Sequence, residues 1–268
     1  MKLPFLQVDA FADRPFTGNP AAVMPLDEWL DDATLQVIAA ENNLSETAFL
    51  IADTTGAANY ELRWFTPTNE VVMCGHATLA SGHAILSTEP QRDRVTFRTR
   101  KAGILEVGRD GASYTLSLPA WVPTPKALPE IVAALGVEGV VETLWHEHRY
   151  GLVILADEAA VRAVAPDFRK LAAEGDWLTI VSSRGSHSGT GTDIVSRAFA
   201  PGGGIDEDPV TGSAHAVLTP YWSAKFGRDT FTAYQASARG GHVGCRLAGD
   251  RVILSGTCVT VIEGSFLL

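Results

Sequence analysis

Met73-Cys-Gly-His-Ala-Thr-Leu-Ala80 and Val210-Thr-Gly-Ser-Ala-His-Ala-Val217 carry one short pattern twice. Gly75 and Gly212 stand 137 positions apart, about half of the 268 residues, so the chain reads as a duplicated unit. Each copy follows an extended run, Glu61 to Phe65 or Asp193 to Phe199, passes through a loop with Pro67 or Pro201, and enters a helix of small residues. The first turn of a helix has N–H groups without intrahelical partners and a partial positive charge, and both favour an anion. His76 to Thr78 and Ser213 to His215 contain no Asp or Glu, which leaves that place to an external carboxylate. Glycine at 75 and 212 permits close backbone approach. A single copy is better read as a Gly-initiated helix packed by its alanines. Two copies at half-chain spacing favour two helix starts converging on a cleft between face-to-face halves.

Bulk composition narrows the class. Hydrophobic residues make up 46% of the chain and charged residues 19%, as in ordinary globular proteins. No apolar run reaches the roughly 18 residues that span a membrane. The amino terminus, MKLPFLQVDAF, alternates like a strand and lacks the apolar core of a signal peptide, so a cytoplasmic protein is expected. Acidic residues outnumber basic ones 31 to 21, a net charge of −10 without a long basic run, which argues against nucleic-acid binding. Three widely spaced cysteines, Cys74, Cys245 and Cys258, offer neither a zinc pair nor a disulfide framework. His146 and His148 flank Glu147 without a third ligand nearby, so no metal is expected.

Periodicity predicts a strand at Leu3 to Phe11, a tight loop from Ala12 to Pro20, a helix at Leu30 to Asn42 and a buried strand in the later part of Leu44 to Ile51. Further strands are expected at Tyr60 to Phe65, Val95 to Arg100, Ile104 to Val107 and Tyr114 to Leu118, around an almost uncharged helix at His76 to Leu86. Pro119, Pro123, Pro125 and Pro129 mark the boundary, giving domains 1–118 and 119–268. The second half repeats strands at Gly151 to Leu155, Trp177 to Ser182 and Asp193 to Phe199 and a helix at Ser213 to Lys225, which Pro220 should kink or shorten near Thr219. Ser182 to Gly191 reads as a loop, and late strands follow at Phe231 to Tyr234, His242 to Leu247 and Arg251 to Ile262, the last of which could return to the first domain.

The candidates for chemistry sit at loop-to-core junctions. Asp206, Glu207 and Asp208 precede the second helix start, Glu46 enters a core strand, and His76 opens the first helix. A carboxylate or imidazole in a partly dry place suits proton transfer, whereas an acidic loop that complements the helix dipole is the plainer alternative. Two-base epimerases need a thiol on each face of the substrate. Cys74 corresponds to Thr211 in the second copy, so paired-thiol chemistry is disfavoured.

The stretches FTGNPAAV (Phe16 to Val23), NNLSETAFL (Asn42 to Leu50), RWFTPTNEVVMCGHATLASG (Arg63 to Gly82) and EDPVTGSAHA (Glu207 to Ala216) together resemble the PhzF-like phenazine-biosynthesis isomerases of the diaminopimelate-epimerase and proline-racemase superfamily. The resemblance runs nearly end to end. It implies an α+β fold of two pseudo-symmetric mixed α/β domains, each a curved sheet around a central helix, with an inter-domain cleft, commonly a homodimer, and chemistry without a cofactor. It implies Glu46 as the proton shuttle and His76, Asp208 and Ser213 as polar pocket residues. Asn19, Gly75 and Gly212 are then the substrate-binding positions, with a small carboxylate-bearing metabolite as substrate. Cys74, retained at the position used by thiol epimerases, keeps a Cys74-dependent racemase or epimerase as the rival reading. A catalytically silent metabolite-binding protein is the third.

Overall fold

The computed structural model describes residues 1–186 and 189–268. In chain order the elements are β1 (Lys2–Ala10), β2 (Asn19–Pro25), α1 (Asp32–Asn42), β3 (Glu46–Ala52), β4 (Tyr60–Phe65), β5 (Glu70–Val71), α2 (Gly75–Leu86), β6 (Arg94–Thr99), β7 (Ile104–Asp110) and β8 (Ser113–Pro119). They continue with β9 (Thr124–Pro125), α3 (Pro129–Leu135), β10 (Glu142–His146), β11 (Tyr150–Ile154), α4 (Glu158–Ala163), α5 (Phe168–Ala173), β12 (Leu178–Arg184), β13 (Ile194–Ala200) and β14 (Ile205–Asp208). The chain closes with α6 (Gly212–Phe226), β15 (Thr230–Gln235), β16 (Gly241–Ala248), β17 (Arg251–Gly256) and β18 (Cys258–Leu267). Met1–Leu118 with Ser255–Leu268 form one unit, and Pro119–Leu254 form the other.

In the first unit β1 pairs antiparallel with β2, β2 runs parallel to β3, β3 is antiparallel to β4, and β4 takes β5 antiparallel and β6 parallel. The second unit repeats that plan with β10, β11, β12, β13, β14 and β15. Even the outer edge corresponds. β18 lies antiparallel on β1, and the short β9 lies antiparallel on β10. The chain's last strand thus completes the first unit, and the stretch expected as one strand from Arg251 to Ile262 is divided between β17 and β18.

Uncharged α2 is the core of the first unit, packing on β1, β2, β3, β6, β7 and β18. A helix apolar on all sides must be enclosed on all sides. Gly82 lets β7 approach, since a Cβ there would stand 2.3 Å from Val107 Cγ1. The opposite face of the sheet is covered by α1, whose Leu35 and Ile38 meet Met24, Phe49 and Phe65. Sheets covered on both faces carry unbroken apolar runs, which is why Ala21 to Met24 and Ala48 to Leu50 show no alternation. The Asp31 side chain accepts from Thr34 N at 3.0 Å to start α1, and Asn43, at φ 48°, ends it.

In the second unit α3, α4 and α5 cover the outer face through Ile131, Leu135, Val161 and Leu171. These three short helices and β10 lie where the sequence shows no periodic pattern. Pro220 does not end α6, which continues to Phe226. The carbonyl that Pro220 leaves without an intrahelical donor, Ala216 O, accepts instead from Trp121 N at 3.0 Å. Ser183 and Arg184, expected in a loop, end β12, while His187 and Ser188 of that loop lie outside the described residues. Among the described residues no helix is long and apolar enough to cross a membrane.

Candidate active site

The head of α2 gathers side chains from three separate stretches. Gly18, at φ +66°, lets β2 turn back beside β1, where a Cβ would meet Ala10 O at 2.2 Å. Asn19 follows it and is fully buried. Glu46 opens β3 beside Ala21 of β2. Cys74 caps α2 without a side-chain hydrogen bond to the helix's free amides, and His76 is the helix's second residue. Ser45 Oγ donates to Asn19 Oδ1 at 3.1 Å, which turns Asn19 Nδ2 toward His76 Nδ1, also at 3.1 Å. An Nδ1 that accepts leaves the ring proton on Nε2, and Nε2 lies 3.0 Å from Glu46 Oε2. Glu46 and His76 side chains are only 11% and 5% exposed, so their contact is largely withdrawn from bulk water.

The electrostatics of this group are coupled. Burial disfavours the charged His76 ring, but its close contacts with Cys74 and Glu46 outweigh this and hold the imidazole pKa well above its ordinary value. Full protonation would require the Asn19 amide to turn and offer Oδ1 to Nδ1. Cys74 goes the other way. Burial, aided by Glu46, pushes its thiol up to about 11, so at neutral pH only about one part in ten thousand is thiolate. Its Sγ is 3.5 Å from His76 Nδ1. The first turn of α2 carries no acid, and the amides of Gly75 and His76 have no partner within the helix.

The head of α6 belongs to the second unit and is built differently. Thr211 caps the helix and Gly212 and Ser213 open it, again with no acid in the first turn. Thr211 Oγ1 donates to buried Asp208 Oδ2. Gln235, the last residue of β15 and fully buried, accepts from Thr211 N at 2.8 Å and donates to Asp208 O at 2.7 Å. Glu207 is committed to Arg197, at 2.7 and 2.9 Å, so of the three acids only Asp208 is both buried and beside the helix start. Burial pushes the Tyr150 phenol up, and neighbouring Ser213 partly offsets that. Gln235 and Tyr150 carry no local sequence signal, because only the β13–β15 and β11–β12 pairings bring them here.

Among the described residues, the one group with ligand-type atoms close enough to share a metal ion is Glu46, Cys74 and His76. His146 and His148 instead pack around Trp121, with ring centroids 5.7 and 5.0 Å from it.

Comparison with known proteins agrees with this architecture. The family described as phenazine biosynthesis-like protein (PhzC-PhzF) matches residues 8–264. An uncharacterized isomerase of Pseudomonas aeruginosa is 46% identical, over 100% of both chains. The crystal structure of a phenazine biosynthesis protein of the PhzF family from Enterococcus faecalis superposes with a TM-score of 0.90 at 41% identity, covering 100% of each chain. A hydroxyproline epimerase from Agrobacterium vitis shares the fold alone, with a TM-score of 0.61 at 12% identity over 98% of this chain and 92% of the other.

Proposed function

The chain belongs to the phenazine biosynthesis-like (PhzC-PhzF) family and is an isomerase, and from that premise we propose that it moves a proton between carbons of a small carboxylate-bearing metabolite, with Glu46 as the shuttle. The carboxylate of Glu46 takes a proton from a carbon next to an unsaturated or carboxylate-bearing centre. The electron pair left behind delocalises into that group, and Glu46, whose bound proton exchanges with solvent between the two steps, delivers a proton to another carbon, so no external acid, base or cofactor enters the balance. Nε2 of His76 holds Glu46 in place and shares the proton while it resides there. The amides at the start of α2 stabilise the charge that develops on the substrate. Asn19 fixes the imidazole, and Gly75, Gly212 and Ser213 serve as carboxylate-binding positions with Asp208 as a second acid.

The observation that carries this reading is the buried 3.0 Å contact between Glu46 and His76 at an acid-free helix start. Solvent-deuterium incorporation into candidate substrates tests it. Wild type should exchange and Glu46→Gln should not; undiminished exchange in the variant removes Glu46 from the role. The racemase reading requires a Cys74 thiolate, and a thiol raised to about 11 next to a carboxylate is a poor source of one.

A further inference from the structure

We propose that Glu46, Cys74 and His76 form a reversible, inhibitory binding site for a thiophilic divalent cation such as Zn²⁺. This goes beyond isomerisation and concerns what can stop it. Zinc takes sulfur at about 2.3 Å and nitrogen or oxygen at about 2.0 Å, so a tetrahedral set places its N and O ligands about 3.3 Å apart and S and N about 3.5 Å apart. Here Nε2 and Oε2 are 3.0 Å apart, Sγ and Nε2 4.0 Å, and the three ligand atoms all lie within 4.8 Å of one another. The nitrogen–oxygen pair is about 0.3 Å short of its tetrahedral separation and the sulfur–nitrogen pair about 0.5 Å long, and side-chain rotation of Glu46 would bring the third pair in from no more than 4.8 Å. Three protein ligands leave a fourth position open, which is the ligand count of reactive rather than purely structural zinc.

Charge and surroundings point the same way. Cys74 and His76 are 5% and 4% exposed, and Glu46 Oε2 has no hydrogen-bond partner beyond its ion-pair contact with His76. A dication bound by one thiolate and one carboxylate is neutral overall, which suits a buried place better than an isolated charge. Binding expels the thiol proton to solvent. The ring then uses Nε2 for the metal and carries its proton on Nδ1, where Asn19, turned to present Oδ1, would accept it and Nδ2 would face Ser45 Oγ. Metal-bound histidines are commonly held by such an outer acceptor. The cation occupies the lone pairs through which Glu46 and His76 handle the substrate proton, so bound metal and proton transfer exclude each other.

The test is a titration of the whole protein with Co²⁺ alone, followed by displacement with Zn²⁺. One equivalent of cobalt should give a thiolate-to-cobalt band in the near ultraviolet with tetrahedral bands in the visible, both abolished by Cys74→Ser and by His76→Gln and preserved in His146→Gln. X-ray absorption on the wild-type zinc complex, which needs no variant, should show one sulfur in the first coordination sphere. One equivalent of Zn²⁺ should reduce deuterium exchange to background and a chelator should restore it. Absence of a thiolate band, a coordination sphere without sulfur, or equal uptake by Cys74→Ser overturns the proposal. The cobalt spectrum requires no substrate, so its failure and the failure of the isomerase reading are separate results.

Discussion

The register of β3 on β4 pairs Thr47 with Phe65, and the register of β12 on β13 pairs Thr179 with Phe199. Those two phenylalanines correspond, because each lies under the guanidinium two residues before it, Arg63 at 4.9 Å and Arg197 at 5.0 Å, and each arginine grips a glutamate on the next strand. One step along, the place of Glu46 is taken in the second unit by Leu178. The helix starts differ in the same way. Cys74 and Thr211 are the caps, His76 and Ser213 the second residues, and Thr78 and His215 the fourth, where both side chains bond back to the cap carbonyl at 2.6 and 2.8 Å. The backbone plan and its arginine–glutamate clasp are doubled, while the buried Glu46–His76 pair is single. The two helix starts share a backbone and differ in a few side chains.

The largest expected effect breaks that comparison directly. Glu46→Gln should lower turnover by about 100- to 10,000-fold, the usual worth of a positioned general base, with the unfolding midpoint near wild type. Asp208→Asn, in the second unit, keeps an acceptor for the Thr211 hydroxyl and should cost about tenfold or less, below that range. Equal losses in steady-state kinetics would mean that proton handling is divided between the units.

The second effect concerns stability. Burial lowers His215 to about 4, against about 6.5 for free imidazole, whereas His76 is raised. A depressed histidine binds its proton more readily in the unfolded chain. The folded state therefore loses stability as pH falls from about 6.5 to about 4, by about 3 kcal/mol in total, and gains nothing further at higher pH. Urea unfolding across that range should show the slope in wild type and a shallower one in His215→Asn, whose amide can still reach Thr211 O. Identical slopes would refute a neutral buried His215. His76 contributes with the opposite sign, favouring the fold below its raised value and losing that contribution as pH rises through it.

A smaller change is expected at Cys74. Cys74→Ala should leave substrate turnover within about threefold of wild type, because a thiol at about 11 supplies almost no base at neutral pH. Iodoacetamide should likewise label the native protein slowly at this position. A hundredfold loss would restore the thiol racemase and make Cys74, rather than Glu46, the residue that distinguishes the two helix starts.

What could be read from the chain follows from which interactions are local. The doubled glycine turn, the uncharged α2 and the strand Tyr60–Phe65 announce themselves through composition and periodicity, and the four motif stretches carried Asn19, Glu46 and His76 as candidates before their contacts were visible. Short α3, α4 and α5 escaped because a helix of six or seven residues offers too few turns for a periodic pattern. Gln235 sits 24 residues from Thr211 and Tyr150 63 residues from Ser213 in sequence, and only strand pairing makes them neighbours. The correspondence of Glu46 with Leu178 is likewise a matter of register, since the two segments share no motif.

Pro220 gives the smallest and most discriminating expectation. In an exposed helix, replacing an interior proline with alanine restores a hydrogen bond and removes a clash, worth about 3 kcal/mol in favour of the variant. In α6 the freed carbonyl already has a donor, Trp121 N at 3.0 Å, so an alanine amide at 220 would compete with it. If the new amide wins, a main-chain donor near the Trp121, His146 and His148 rings loses its partner, at a cost of about 1–3 kcal/mol. The two terms are of similar size and opposite sign, so the melting temperature of Pro220→Ala should barely move while the Trp121 fluorescence changes. A stabilisation of the full helical size would show that the proline is a defect in the second unit's helix. A near-zero shift would show that the carbonyl it frees, Ala216 O, ties the start of the second unit to its central helix.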